Sequence, residues 1–169
     1  SENPEDFKLA GEMLKKVRKD VRLFSSTMID DIAGGKACAF IGWSGDINIA
    51  ADRVKETGGK DEIVPLLPTG GGLVFIDTMA IPKDAKHVKN AHLFINYILR
   101  PEVHAGLSNK VFYANPNLAS RKFIKPEVAN DPAVFPPEAD MKRMAQPDAI
   151  NNDIRRQMTR IYTSFKTGL

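Results

Sequence analysis

The sequence predicts an α/β fold, and three observations carry that expectation. Segments with apolar residues at helical spacing alternate with short, uniformly apolar runs. Glycine and proline clusters separate the two kinds of segment. At 169 residues and 43% hydrophobic content, the chain is long and apolar enough for a domain-sized core and unlike a disordered tail.

Taken in order, Asn3 is a good N-cap, Pro4 suits a first helical position, and Glu5 and Asp6 complement the helix dipole. Phe7, Ala10, Leu14 and Val17 then recur at helical spacing, predicting a helix over 4–18 with one buried stripe. Val21-Arg22-Leu23-Phe24 reads as a short strand. Thr27-Met28-Ile29-Asp30 resembles a capping box opening a second helix, closed by Gly34-Gly35. Ala37-Cys38-Ala39-Phe40-Ile41-Gly42-Trp43 is apolar throughout, which predicts a strand covered on both faces, as in a parallel sheet. After Ser44-Gly45-Asp46, the residues Ile47, Ala50, Ala51 and Val54 mark a helix that Gly58-Gly59 ends.

Ile63-Val64-Pro65-Leu66-Leu67-Pro68 reads as a strand with prolines at its margins, suited to an edge or a crossover. Thr69-Gly70-Gly71-Gly72 leads into a second apolar run, Leu73 to Pro82. Asp84 is placed to cap a helix carrying Val88, Ala91, Ile95, Ile98 and Leu99, and Pro101 stops that helix and starts the next, Glu102 to Asn109. Val111 to Pro147 is loop-rich and punctuated by proline. A final helix, about Ile150 to Lys166, sets Ile154, Met158, Ile161 and Phe165 on one face.

Composition narrows the function classes. The net charge is +3, from 24 basic and 21 acidic residues, with a pI of about 9.0, and the basic residues are dispersed, unlike a nucleic-acid face. No apolar run approaches the roughly 20 residues that span a bilayer. The opening Ser1-Glu2-Asn3-Pro4-Glu5 is acidic and polar, so no signal peptide is expected within this chain. One cysteine, Cys38, cannot form an internal disulfide, and with three histidines at 87, 92 and 104 it offers no metal-ligand spacing. Thr69-Gly70-Gly71-Gly72 lacks the lysine and helix of a phosphate loop and reads as a hinge or turn. Ser44, Ser108 and Cys38 have no neighbouring base signature, so neither catalysis nor a cofactor is expected.

Two elements pair an aromatic ring with a carboxylate. In Trp43-Ser44-Gly45-Asp46 an apolar run passes into a helix, the place where open α/β sheets bind ligands. Ring and carboxylate together suit a cation, although Trp43 can equally be a core aromatic and Asp46 a helix cap. Phe75-Ile76-Asp77 repeats the chemistry. An acid within Leu, Val, Phe and Ile is costly to bury unpaired, so Asp77 either points out at a strand edge or faces a protein or ligand partner.

Four segments, Ala39 to Asp46, Phe75 to Pro82, Ala91 to Val103 and Val111 to Asn117, together resemble the spermidine/putrescine-binding periplasmic proteins of ABC transporters, nearest to the putrescine-binding branch. The resemblance implies the C-terminal half of a type II periplasmic binding protein, whose two α/β lobes close on a solute. It implies that residues 1–68 belong to lobe two, 69–72 to a hinge, 73–113 to lobe one, and 114–169 to a return to lobe two with the C-terminal helix. It further implies that Trp43, Phe75 and Tyr113 line the methylene chain of a polyamine while Asp46 and Asp77 take its ammonium groups. Permease subunits, the N-terminal half of the same protein and a periplasmic location follow as expected context. With that half absent, the piece from Leu73 to Tyr113 is expected to expose apolar surface, and the chain to dimerise or swap elements. Ile76 and Asn48 stand where the family often has an aromatic, which leaves the choice of amine open. The same fold binding another solute, such as an amino acid, opine or sugar, and a self-contained α/β interaction module are the alternatives.

Overall fold

The computed structural model describes residues 3–147 and 149–168. The expectation resting on Ser1 and Glu2 lies in part outside the described residues. The chain forms two compact units, one joining the stretch up to Ser26 with the stretch from Gln146 onward, the other Thr27–Ala145.

The first unit is a helix pair. Helix α1, Pro4–Val17, starts as the sequence predicts, with the Asn3 side chain accepting from the Glu5 N–H at 3.1 Å. A 3₁₀ turn, Arg18–Asp20, follows it. The last helix of the chain, Asn152–Thr167, packs on α1 and is α8 in chain order. Asn151 caps it by accepting from the N–H groups of Asp153 and Ile154, both at 3.0 Å, and Gly168 closes it in the left-handed region with φ 78°. Gly11 is buried, and a Cβ there would sit 2.9 Å from Ile161 Cγ2, so the missing side chain lets the two helices approach. Phe24 packs edge-on against Phe165 at 5.2 Å and against Tyr162 at 6.4 Å, and the Arg18 guanidinium lies 5.4 Å from the Phe24 ring centre while bonding the Lys166 carbonyl at 3.0 Å. Of the expected stripe on α8, Ile154 and Phe165 are buried and Met158 is exposed.

In the second unit α2 is Met28–Ala33, α3 is Ser44–Glu56, α4 is Val88–Ile98, α5 is Pro101–Val111, α6 is Pro126–Ala129 and α7 is Glu138–Met141. Ile32 of α2 and Ala50, Ala51 and Val54 of α3 are buried where the two helices pack, and Arg53 pairs with Asp30 across them. Helix α5 packs against the 3₁₀ segment Leu118–Phe123. Ala105, Ile124, Val128 and Val134 form the core there, flanked by Phe112, Ala129 and Phe135, with Arg121 3.7 Å above the Phe135 ring centre. Helix α4 begins at Val88, with His87 at its N-cap; Asp84 lies in the turn before it.

The expected strands do not assemble into a sheet. Residues 21–24, 37–43, 63–68 and 74–82 carry no ladder, and the described residues hold one isolated parallel bridge, Leu73 with Ala145. In it the Val74 N–H donates to the Ala145 carbonyl and the Ala145 N–H to the Gly72 carbonyl, both at 2.9 Å. A strand is stabilised by its neighbours' N–H and C=O groups, and beyond that one bridge these runs have no such neighbour among the described residues. The expectation that 37–43 is covered on both faces is likewise corrected, since Ile41 is fully exposed and Trp43 is 53% exposed. On a segment without a paired neighbour, Ala37 and Phe40 are partly covered while Ile41 and Trp43 are left open.

Candidate functional site

The start of α3 organises the site. Trp43 is its N-cap residue and Asp46 lies in its first turn, where the N-terminal partial charge of the helix suits a carboxylate. Trp43 provides no side-chain cap bond, and Asp46 is not the capping residue. The Trp43 indole meets the Phe75 ring edge-on, with centroids 5.0 Å apart at 78°, which brings the two aromatic–carboxylate elements together. Both rings remain about half exposed, at 53% and 51%.

Tyr113 arrives from the end of α5. Its hydroxyl donates to Asp46 Oδ1 at 3.3 Å. Gly45 makes this approach feasible, because a Cβ there would overlap both the Tyr113 ring and the Val111 carbonyl oxygen. Burial, then the Asp46 charge and its hydrogen bond, push the Tyr113 hydroxyl up to about 12, so near neutral pH it is a donor to the carboxylate. Asp77, two residues beyond Phe75, is exposed and holds neither a hydrogen bond nor an ion pair among the described residues. Four of the five residues picked from sequence are thus linked in two contacts at one helix end, and Asp77 is linked to them through the chain alone.

Sequence reasoning passed over the residues that hold Tyr113. Ser108, considered there as a nucleophile, is 1% exposed and donates from Oγ to the Tyr113 carbonyl at 2.7 Å. Asn115 Nδ2 donates to Ser108 Oγ at 2.8 Å, and Asn115 Oδ1 accepts from the Asn117 N–H at 3.0 Å and lies 2.9 Å from Ser120 Oγ. Phe112 turns the chain there with φ 56° in the left-handed region. Asn-Pro-Asn after a helix end is a signal for side-chain-bonded turns that would have found Asn115. Among the described residues no three of His, Cys, Asp and Glu converge as a metal site would require.

The arrangement has aromatic edges beside a carboxylate oriented by a phenol. The remaining carboxylate lone pairs can accept from an ammonium group while the rings flank its hydrocarbon.

Comparison with known proteins decides the family. Residues 12–105, more than half of the chain, match the family described as bacterial extracellular solute-binding protein. The chain belongs to that family. Among curated members of this solute-binding group, the chain is 38% identical over 160 residues to the putrescine-binding periplasmic protein PotF of Escherichia coli (strain K12), covering 94% of this chain and 43% of the relative. It is 36% identical over 169 residues to the putrescine-binding periplasmic protein SpuD of Pseudomonas aeruginosa (strain UCBPP-PA14), covering 99% of this chain and 46% of that one. A spermidine/putrescine-binding periplasmic protein of Salmonella typhimurium is 34% identical over 135 residues, 79% of this chain and 37% of the relative. The chain spans rather less than half the length of these solute-binding relatives. No helix among its described residues is long and apolar enough to cross a membrane.

Proposed function

We propose that this chain is the C-terminal portion of the polyamine-binding subunit of an ABC importer, a periplasmic, non-catalytic protein that needs no cofactor. The observation that carries the reading is the meeting of the Trp43–Phe75 ring pair and the Asp46–Tyr113 hydrogen bond at the start of α3. A diamine needs acceptors for its charged ends and low-polarity walls between them, since desolvating an unpartnered ammonium is costly. In this reading Asp46 takes one ammonium group, Asp77 takes the other, and Trp43, Phe75 and Tyr113 flank the methylenes. The names of the relatives, which bind putrescine or spermidine, support the ligand class.

The lobe assignment belongs to the same proposal. Residues 1–68 and 114–169 contribute to one α/β lobe, 73–113 to the other, and 69–72 is a hinge. Support comes from the two chain passages that run side by side: Arg143 donates to the Pro68 carbonyl at 3.2 Å and to that of Thr69, and residues 72–74 bridge to Ala145. The exposed Leu73, Ile76, Met79, Leu93, Phe94 and Tyr97 suit burial against the N-terminal half of the same protein, where the unpaired runs would find sheet partners. The permease subunits of the importer are the further partner.

Calorimetric titration of putrescine and spermidine into the full-length protein that carries this chain tests the reading, with an amino acid and a sugar as controls. Asp46→Ala and Asp77→Ala are each expected to weaken amine binding by roughly tenfold or more, the scale of one hydrogen bond to a charged group. Unchanged affinity in both variants removes the site assignment. Heat on adding the amino acid or sugar, with none from amines, moves the protein to another solute.

A further inference from the structure

We infer that Ser108 and Asn115 are positioning residues for the solute site, setting the Tyr113 phenol on Asp46 through a one-way chain of hydrogen bonds. The inference rests on the amine-binding reading above. The direction of each bond follows from groups whose chemistry leaves no choice. The Asn117 backbone N–H can only donate, so the Asn115 atom it meets at 3.0 Å is the carbonyl oxygen Oδ1. The other end of the amide, Nδ2, therefore faces Ser108 and donates to its Oγ at 2.8 Å. The backbone carbonyl of Tyr113 can only accept, so the single hydroxyl hydrogen of Ser108 goes to it at 2.7 Å. Ser120 Oγ, fully buried and within 2.9 Å of Asn115 Oδ1 and 2.7 Å of the Asn117 carbonyl, closes the turn from below.

What the chain of bonds holds is a backbone that would otherwise move. Phe112 sits at φ 56°, a conformation a bulky aromatic rarely adopts without being held. One residue later the Tyr113 ring lies against Gly45, where no side chain intervenes, and its hydroxyl reaches Asp46. The phenol and one lone pair of Asp46 are thus set before any ligand arrives, so binding an amine need not order them, and preorganisation of this kind appears as affinity.

Asn115→Asp is the informative substitution because it keeps the shape and inverts the direction. A carboxylate at 115 can accept but no longer donate, so the Ser108 hydroxyl is drawn toward it and away from the Tyr113 carbonyl. Ser108→Ala removes the same bond by deletion, and Tyr113→Phe removes the phenol. The full-length protein carrying the chain, with 13C-labelled tyrosine, gives two readouts: the Tyr113 ring resonance, assigned by its loss in Tyr113→Phe, and the putrescine dissociation constant. The expectation is a displaced Tyr113 ring signal and roughly 3- to 10-fold weaker putrescine binding in Asn115→Asp and in Ser108→Ala, the scale of one hydrogen bond. Adding either change to Tyr113→Phe is expected to weaken binding no further, a coupling that general loss of stability would not produce. A wild-type ring signal and wild-type putrescine affinity in Asn115→Asp overturn the positioning role while leaving the amine site standing. Failure of the unmodified protein to bind any amine overturns the amine reading itself.

Discussion

At the scale of single residues, the contact between Tyr113 and Asp46 has a pH signature. The hydroxyl stands at about 12 in the folded chain against an ordinary 10.0 when exposed. The folded state therefore holds the proton more tightly, and the resulting stability is fully present below pH 10 and is lost as pH rises through about 12. Urea unfolding of the wild-type chain and of Tyr113→Phe across that interval checks this. The stability advantage of wild type over the variant should shrink as pH climbs, and a constant difference would show that the phenol is not held as described. The aromatic and acidic members of the site were legible in the sequence because ring–carboxylate pairs are rare inside apolar runs. Gly45 and Ser108 were not, because a glycine earns its place through a neighbour 68 positions on and a buried serine through a carbonyl in the next turn, neither of which a local pattern records.

At the scale of elements, helices follow their punctuation. Asn3 with Pro4, Pro101 and Gly58 mark observed boundaries, whereas α4 starts at Val88 because the turns before it delay the helix beyond Asp84. Asn151, which holds two N–H groups at the head of α8, escaped the sequence reading because its neighbours Ile150 and Asn152 blur the start. Asn151→Ala should cost about 1 kcal/mol of stability, the usual worth of such a cap. Chemical denaturation of the chain measures it, and a loss within error of zero would mean that the α1–α8 pair is held by Phe24, Phe165 and the Gly11 approach alone. The apolar runs were harder to read. Val21–Phe24 and Ala37–Trp43 show what a strand is made of, but a strand is a relation between two segments, and periodicity within one segment says nothing about whether the other is there.

At the scale of the whole molecule, the unpaired runs and the open face of α4 leave large apolar side chains in water, among them Ile41, Leu66, Ile76, Leu93 and Phe94. Such surface promotes association, and extended segments with free backbone groups offer a template for pairing. The 169-residue chain on its own should therefore self-associate in light scattering and enhance the emission of a hydrophobic dye. A non-associating, dye-silent monomer would count against apolar faces left open. Among the described residues the helices carry their own hydrogen bonds while the apolar runs have no paired ladder, so the helical part of the α/β expectation is found and the sheet part is not.

Trp43 is the sole tryptophan of the sequence, and it stands half in water in a T-shaped contact with Phe75. The chain thus carries its own optical probe at the proposed site. In the 169-residue chain, excitation of the indole reports on this one location, its emission maximum tracking how wet the ring pair is, without any attached label.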